Sequence, residues 1–431
     1  MKPAILSAPF TDALLARFLK YVQIWTTSDS SRSDAGTVPS TERQADFAQL
    51  LAQELRTLGV SDVTVTAHSY VCARIPATPG MEDAPAVGFL AHLDTTEEVS
   101  GLNVRPNVLE NYQGTPIRLA DGAGLDPAQD AALARAAGDT IITSDGTTLL
   151  GADDKAGIAI IMSAAEELLK TAPDGKPALP HGTVEIVFSP DEETGHGMDH
   201  VPLGWFTARQ CYTVDGGQAG EIEAECFNAW KSEITFSGKA KHTGTARPDM
   251  VNAVTMAADF ISFLPRNEAP ETTDSYQGFY APMEITGHLE SAAVTLFLRD
   301  FDTEGMKRRL QNVETFAQAI EKKFPGAKVS VTHTQQYLNM KEKIDQCPAI
   351  TENLVQAVRQ AGLEPVFKPI RGGTDGARLT EMGIPCPNIF TGGHNYHSRT
   401  EWAALSQMAY AVQTVLNLIR LQTGTVMSVS K

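Results

Sequence analysis

Short apolar runs, each closed by a polar or glycine-rich turn, recur through the first half of the chain. Ala86-Val87-Gly88-Phe89-Leu90 is continuous rather than alternating, as expected of a strand buried on both faces in a parallel sheet. It predicts a strand over Ala86–Ala91, running into His92-Leu93-Asp94. Further strands are predicted at Val63–Ala67, Val71–Ile75, Val184–Phe188, Cys211–Val214 and Pro387–Phe390, with another near Val366–Pro369. Between them the helical period takes over. Leu14, Leu15, Phe18, Leu19 and Val22 share one face of a first helix that Thr11 or Asp12 can cap. A second helix starts after Pro39-Ser40-Thr41, where Thr41 and Gln44 have capping-box spacing, and stops at Gly59. Helices follow at Ile158–Leu169, Ile350–Ala361 and Gln407–Leu421. The polar stretch Thr26–Val38 reads as a loop, and Thr95–Leu150, broken throughout by Gly and Pro, as a long irregular cover or insert.

Near Cys226 the order changes. Strand Lys231–Phe236, helix Val251–Leu264, strands Met283–His288 and Val294–Arg299, helix Thr303–Phe324 and strand Lys328–His333 form a βαββαβ unit, which is ferredoxin-like. The expected architecture is α/β. A first domain with a mostly parallel central sheet is built from residues 1–225 and 338–431, and a second domain, 226–337, is inserted into it.

The 431 residues suffice for such domains, and 42% hydrophobic with 20% charged residues is ordinary for a globular protein. The net charge of −17 argues against a nucleic-acid or anionic-membrane partner. Five scattered cysteines without a CxxC read as reduced thiols, pointing to the cytoplasm. The N-terminal apolar run, broken by prolines, is too short for a signal segment, and no stretch is long and apolar enough to span a membrane.

Chemistry collects where the apolar runs end. Ligands of open α/β sheets lie at the carboxyl ends of strands. His92 and Asp94 fall there, on one side of an extended chain, so an imidazole can meet a metal while a carboxylate accepts its other ring N–H. Asp153, Glu193, Asp215 and His397 also follow apolar runs or occupy glycine-rich turns. Two histidines and three carboxylates suit Zn²⁺, with Co²⁺ or Mn²⁺ as substitutes, and exceed what one open tetrahedral site needs. They suit two ions if one carboxylate bridges. In the pair Glu192-Glu193 one acid can bind metal while its neighbour serves as general base. Taken singly, each motif has a plainer explanation: a core histidine, a solvated acidic turn, a helix N-cap. Gly-Gly-Thr-Asp-Gly at 372–376 lacks the Walker spacing and its lysine, which argues against a nucleotide site.

Together, His92-Leu-Asp94, Gly151-Ala-Asp153-Asp-Lys-Ala-Gly157, Pro190-Asp-Glu192-Glu193-Thr-Gly195, Val214-Asp215-Gly-Gly217 and Asn395-Tyr-His397 change the picture. In this order they resemble the co-catalytic zinc exopeptidases, the relatives of aminoacylase and glutamate carboxypeptidase. Pro39-Ser-Thr-Glu42, Glu110-Asn-Tyr112, Gly278-Phe-Tyr280, Arg299-Asp-Phe-Asp302 and Lys368-Pro-Ile-Arg-Gly-Gly-Thr-Asp-Gly-Ala377 extend the likeness over nearly the whole chain, most closely to tripeptide aminopeptidases. The resemblance implies a phosphorylase/hydrolase-like zinc peptidase domain with a ferredoxin-like lid, and a homodimer through that lid. It implies Asp153 as the bridging ligand of two zinc ions per chain, His92 and Asp215 on one ion, Glu193 and His397 on the other, Glu192 as general base, and Asp94 as partner of His92. It also implies a cis peptide bond between Asp153 and Asp154, a substrate-binding His242 on the lid, and an Arg371 that holds the substrate carboxylate. The implied reaction is removal of the N-terminal residue of short peptides by a water bridged between the zincs. A dipeptidase, carboxypeptidase or N-acyl amino acid hydrolase on the same scaffold is the nearest alternative, and a non-catalytic peptide-binding protein a remote one. Thr243 where relatives carry Pro, His394 in place of Tyr, Ser398-Arg399-Thr400 in place of a glycine-containing run, and a longer Thr171–Leu179 bear on peptide preference rather than on metal.

Overall fold

The structure, a computed structural model, describes residues 7–424. Most of the N-terminal run read above as too short for a signal lies outside them. Two compact units emerge. The first comprises the described residues up to Ala224, Lys343–Lys368 and those from Thr374 onward; the second comprises Glu225–Glu342 and Pro369–Gly373. Arg371, assigned above to the first domain, therefore groups with the second unit.

The first unit is built on an eight-stranded mixed sheet. Val184–Ser189, Val87–His92, Cys211–Gly216 and Asn388–Phe390 lie side by side and parallel at its centre. Antiparallel Val71–Ile75 and Asp62–Val65 extend one side. Glu221–Glu223, antiparallel to Asn388–Phe390, and then Val366–Phe367 extend the other. Val87–His92 and Val184–Ser189 are buried along their whole lengths, as continuous apolar runs require. Because the central strands are parallel, with His92 opposite Ser189, the residues that follow them leave from one edge of the sheet.

The helix Ala152–Leu168 packs on Val87–His92 and Cys211–Gly216, and against Leu405–Leu421. Gly157 permits this approach, since a Cβ there would lie 1.9 Å from the Val214 carbonyl oxygen. The first helix, Ala8–Val22, begins at Ser7 rather than at Thr11 or Asp12. Pro9 sits in its first turn, where a missing N–H leaves no bond unmade. Thr41 is the N-cap of Glu42–Leu58 but makes no side-chain cap, and Gly59 ends that helix in the left-handed conformation (φ 109°). Gln44 is drawn elsewhere: its Nε2 donates to Asp191 Oδ1 at 2.6 Å and its Oε1 accepts the Asp191 N–H at 3.0 Å. Thr26–Val38 contains a short helix, Ser30–Asp34, capped by Asp29.

Thr95–Leu150 is more ordered than expected. Asn107–Leu109 and Ile141–Thr143 join Trp402–Ala404 and Gly393–His394 in a four-stranded sheet. Tyr112, Ile117, Leu125, Leu133, Ile141 and Trp402 form a small core beneath it.

The second unit has the βαββαβ order, with strands Asn228–Ser237, Phe279–His288, Ser291–Asp300 and Lys328–Tyr337 and helices Ala253–Phe263 and Thr303–Lys323. Its sheet is antiparallel throughout, Phe279–His288 and Lys328–Tyr337 at the edges. The helices cover Ile234, Phe236, Val294, Leu296 and Leu298 with Met256, Phe260, Val313 and Ile320. Phe279–His288 begins before Met283 because an edge strand tolerates Pro282, where the register shifts.

Candidate metal centre

Three segments leaving the central strands meet at one edge of the first unit's sheet. His92 ends its strand, is 2% exposed, and points Nε2 at Asp153 Oδ1 (2.9 Å) and Asp215 Oδ1 (3.6 Å). Its Nδ1 lies 3.3 Å from Asp94 Oδ1 without hydrogen-bond geometry. Asp153 stands where the Ala152–Leu168 helix departs from helical geometry, and its peptide bond to Asp154 is cis. The other Asp153 oxygen is 3.4 Å from His397 Nε2, which also meets Glu193 Oε2 at 2.8 Å. His397 Nδ1 faces Glu98 at 3.5 Å. Two ligand groups result, His92–Asp153–Asp215 and Asp153–Glu193–His397, the ligand atoms of each lying within 4.8 Å of one another. Asp153 belongs to both.

The donor set fits divalent cations. His92 Nδ1 and Glu193 Oε1 are buried without a hydrogen-bond partner. Burial and the nearby Asp153 push Glu193 up to about 8 and Asp215 up to about 6, as expected of buried carboxylates crowded together. Asp153 is held low despite its burial, because His397 and His92 both donate toward it. Imidazole nitrogen and carboxylate oxygen suit Zn²⁺, Mn²⁺ or Co²⁺.

Glu192 is half-buried. Burial, reinforced by Asp215, Asp375 and Glu193, pushes its carboxyl well above the ordinary range, although His92 pulls the other way. The Glu192-Glu193 backbone is held by Asp94, which accepts the Glu192 N–H at 3.1 Å and the Glu193 N–H at 3.2 Å. Asp94 thus orients the acidic pair as well as facing His92. Asp191, just before the pair, has φ 57° and is gripped by Ser40 and Gln44.

Two further buried carboxylates hold the backbone of this site. Asp154 accepts the N–H of His92 at 3.2 Å and of Gly157 at 3.1 Å, pinning the strand end to the helix start. Glu401, 1% exposed, accepts from Leu150, Gly151 and Asp153. Asp154 stood next to a recognised residue; Glu401 carried no signal beyond lying four positions after His397. A third buried acid, Asp375 of the glycine-rich loop, is hydrogen-bonded to Ser189. His394 stacks on Trp402 (centroids 3.9 Å apart) and bonds Gln407, and burial lowers it to about 4.

His242 and Arg371 lie in the second unit. His242 is exposed, and its Nδ1 accepts the Gly244 N–H at 3.1 Å, so the neutral ring carries its proton on Nε2. Arg371 Nη1 donates to the carbonyls of Ser275 and Gln277, and Nη2 to the carbonyl and hydroxyl of Thr273.

Residues 144–421 match the profile of peptidase family M20/M25/M40. Peptidase T of Clostridium perfringens strain SM101 is 44% identical over 405 residues, covering 94% of this chain and 98% of that protein. Among solved structures, a tripeptidase from Staphylococcus aureus aligns with a TM-score of 0.74 at 21% identity, over 96% of this chain and 99% of its own. A Bacillus subtilis protein described as a dinuclear metal binding peptidase of the M20 family aligns at 0.65 and 16%, over 97% and 100%. These two structures share the fold. Among the described residues no helix is long and apolar enough to cross a membrane.

Proposed function

The chain belongs to peptidase family M20/M25/M40, and from that premise we propose that it is a metallo-aminopeptidase removing the N-terminal residue of short peptides, tripeptides above all. The observation that carries this reading is the pair of ligand groups sharing Asp153, with Glu192 held beside them by Asp94. His92 and Asp215 would hold one ion, Glu193 and His397 the other, and Asp153 both, with zinc as the expected metal. Such ions polarise a carbonyl and acidify water. The protein's own part is proton handling and orientation. Glu192 takes a proton from the attacking water as its oxygen adds to the first peptide carbonyl, then returns it to the leaving amine as the C–N bond breaks. His242, protonated on Nε2, is a ready donor to the oxyanion. Arg371 is proposed to meet the carboxylate of the peptide with its charge and its Nε–H, since its Nη1 and Nη2 hydrogens are donated to the 273–277 segment, which fixes the guanidinium.

Five cysteines that form no disulfide accord with a cytoplasmic setting, and the exposed Met283 and Ile285 on an edge strand of the second unit accord with a homodimer through that unit. The test of the activity is a panel of Ala-Ala-Ala, its N-acetyl form, its C-terminal amide, Ala-Ala and N-acetyl-alanine. An aminopeptidase of tripeptides cleaves the first, releasing alanine, and leaves the acetylated substrates intact. Preferential cleavage of N-acetyl-alanine would make the chain an acylase instead, and preference for Ala-Ala a dipeptidase.

A further inference from the structure

Glu401 is a buried acid whose described side-chain hydrogen bonds all come from one stretch of backbone. Its Oε2 accepts the N–H groups of Leu150 (2.8 Å) and Gly151 (2.7 Å), and its Oε1 the N–H of Asp153 (3.0 Å). This stretch opens the Ala152–Leu168 helix, where the first amides have no partner within the helix. It is also irregular. Gly151 is left-handed at φ 85°, and Asp153 and Asp154 depart from helical angles, so the helix itself does not dictate where the Asp153 carboxylate points. Something outside the helix must, and Glu401 is attached at that point. Its own segment begins with His397, so one short run of chain supplies a ligand to one group and grips the backbone of the ligand common to both.

We propose that Glu401 is a positioning residue: by gripping the Leu150–Asp153 backbone it aims the Asp153 carboxylate between the two ligand groups and ties it to the His397 segment. Joint occupancy of the two groups then depends on a residue that binds no metal. The inference rests on the two-ion reading above.

The rival is that Glu401 only satisfies amides and stabilises the fold. Glu185 provides the control. It too is buried, near the start of its strand, and accepts the N–H groups of Thr207 and Ala208 along with those of Arg74, but no hydrogen bond described for it comes from a ligand of either group. Glu401→Gln keeps the shape of the side chain but replaces one acceptor oxygen by a donor, so either the Asp153 N–H or the Leu150–Gly151 pair loses its acceptor.

Chelated wild type, Glu401→Gln, Glu401→Asp and Glu185→Gln would be titrated with zinc by calorimetry, and the metal-free proteins melted. Both Glu401 variants should bind at least one of the two ions about 10- to 100-fold more weakly, as loss of a group that supports metal ligands does. Glu185→Gln should melt lower with both zinc affinities unchanged. If Glu401→Gln does not fold, Glu401→Asp, which keeps the charge but shortens the reach, carries the same comparison. Two ions bound at wild-type affinity by a folded Glu401 variant would overturn the assignment alone. A wild type that binds a single ion would overturn the two-ion reading and this inference with it.

Discussion

Glu192 and Glu193 are chain neighbours in different company: Glu193 meets His397 at 2.8 Å, while Glu192 has its backbone N–H fixed by Asp94 and belongs to neither ligand group. Their isosteric amides should therefore fail differently. Glu192→Gln should fold, bind zinc as the wild type does, and lose about 10²- to 10⁴-fold in kcat, the usual contribution of a positioned general base. Glu193→Gln should lose zinc affinity as well. Near-normal turnover by Glu192→Gln would move the base to another residue. His92, Asp153, Asp215 and Glu193 were visible in the sequence because each follows a strand or opens a helix, positions that chain pattern marks. Glu401 was not, because what it does is accept backbone N–H groups from a remote stretch, and no spacing announces that. For Glu401 the donors lie some 250 residues away.

The elements that pattern foretold best are those with the most continuous burial, Val87–His92 and Val184–Ser189, and the long amphipathic helices. Those it missed are short. Asn107–Leu109 and Ile141–Thr143 have three residues each, too few for a period to show; Ile141–Thr143 is held between Asn107–Leu109 and Trp402–Ala404, which arrives from far along the chain. Gln44 was misread for the same reason: its partner, Asp191, is remote, and a long-range pair of hydrogen bonds won over a local cap. The contact between the Ala152–Leu168 helix and the Cys211–Gly216 strand yields a prediction at this scale. A Cβ at Gly157 would lie 1.9 Å from the Val214 carbonyl oxygen and 2.4 Å from Asp154 Oδ1. Gly157→Ala should therefore push helix from strand and displace Asp154, destabilising by about 1–3 kcal/mol or more, as overpacking does. A lowered urea midpoint together with weakened zinc binding is expected; an unchanged midpoint would mean that the two backbones are not in close contact.

At the scale of the whole molecule, the two residues proposed to recognise substrate, His242 and Arg371, belong to the second unit. Arg371→Ala should reduce kcat/KM for Ala-Ala-Ala about 10- to 150-fold more than for its C-terminal amide, the worth of a hydrogen bond to a charged group. His242→Ala should slow both substrates alike. Equal losses with Arg371→Ala would show that its hydrogen bonds to Thr273, Ser275 and Gln277 only brace that segment. The central claim, that two ions held through Asp153 are the working centre of an aminopeptidase, has a more direct test. Chelated protein is titrated with zinc, and the release of alanine from Ala-Ala-Ala is followed against equivalents added. The account predicts no turnover without metal and a rate that reaches its maximum only as the second equivalent per chain binds. Full activity at one equivalent, or in the metal-free protein, would contradict it.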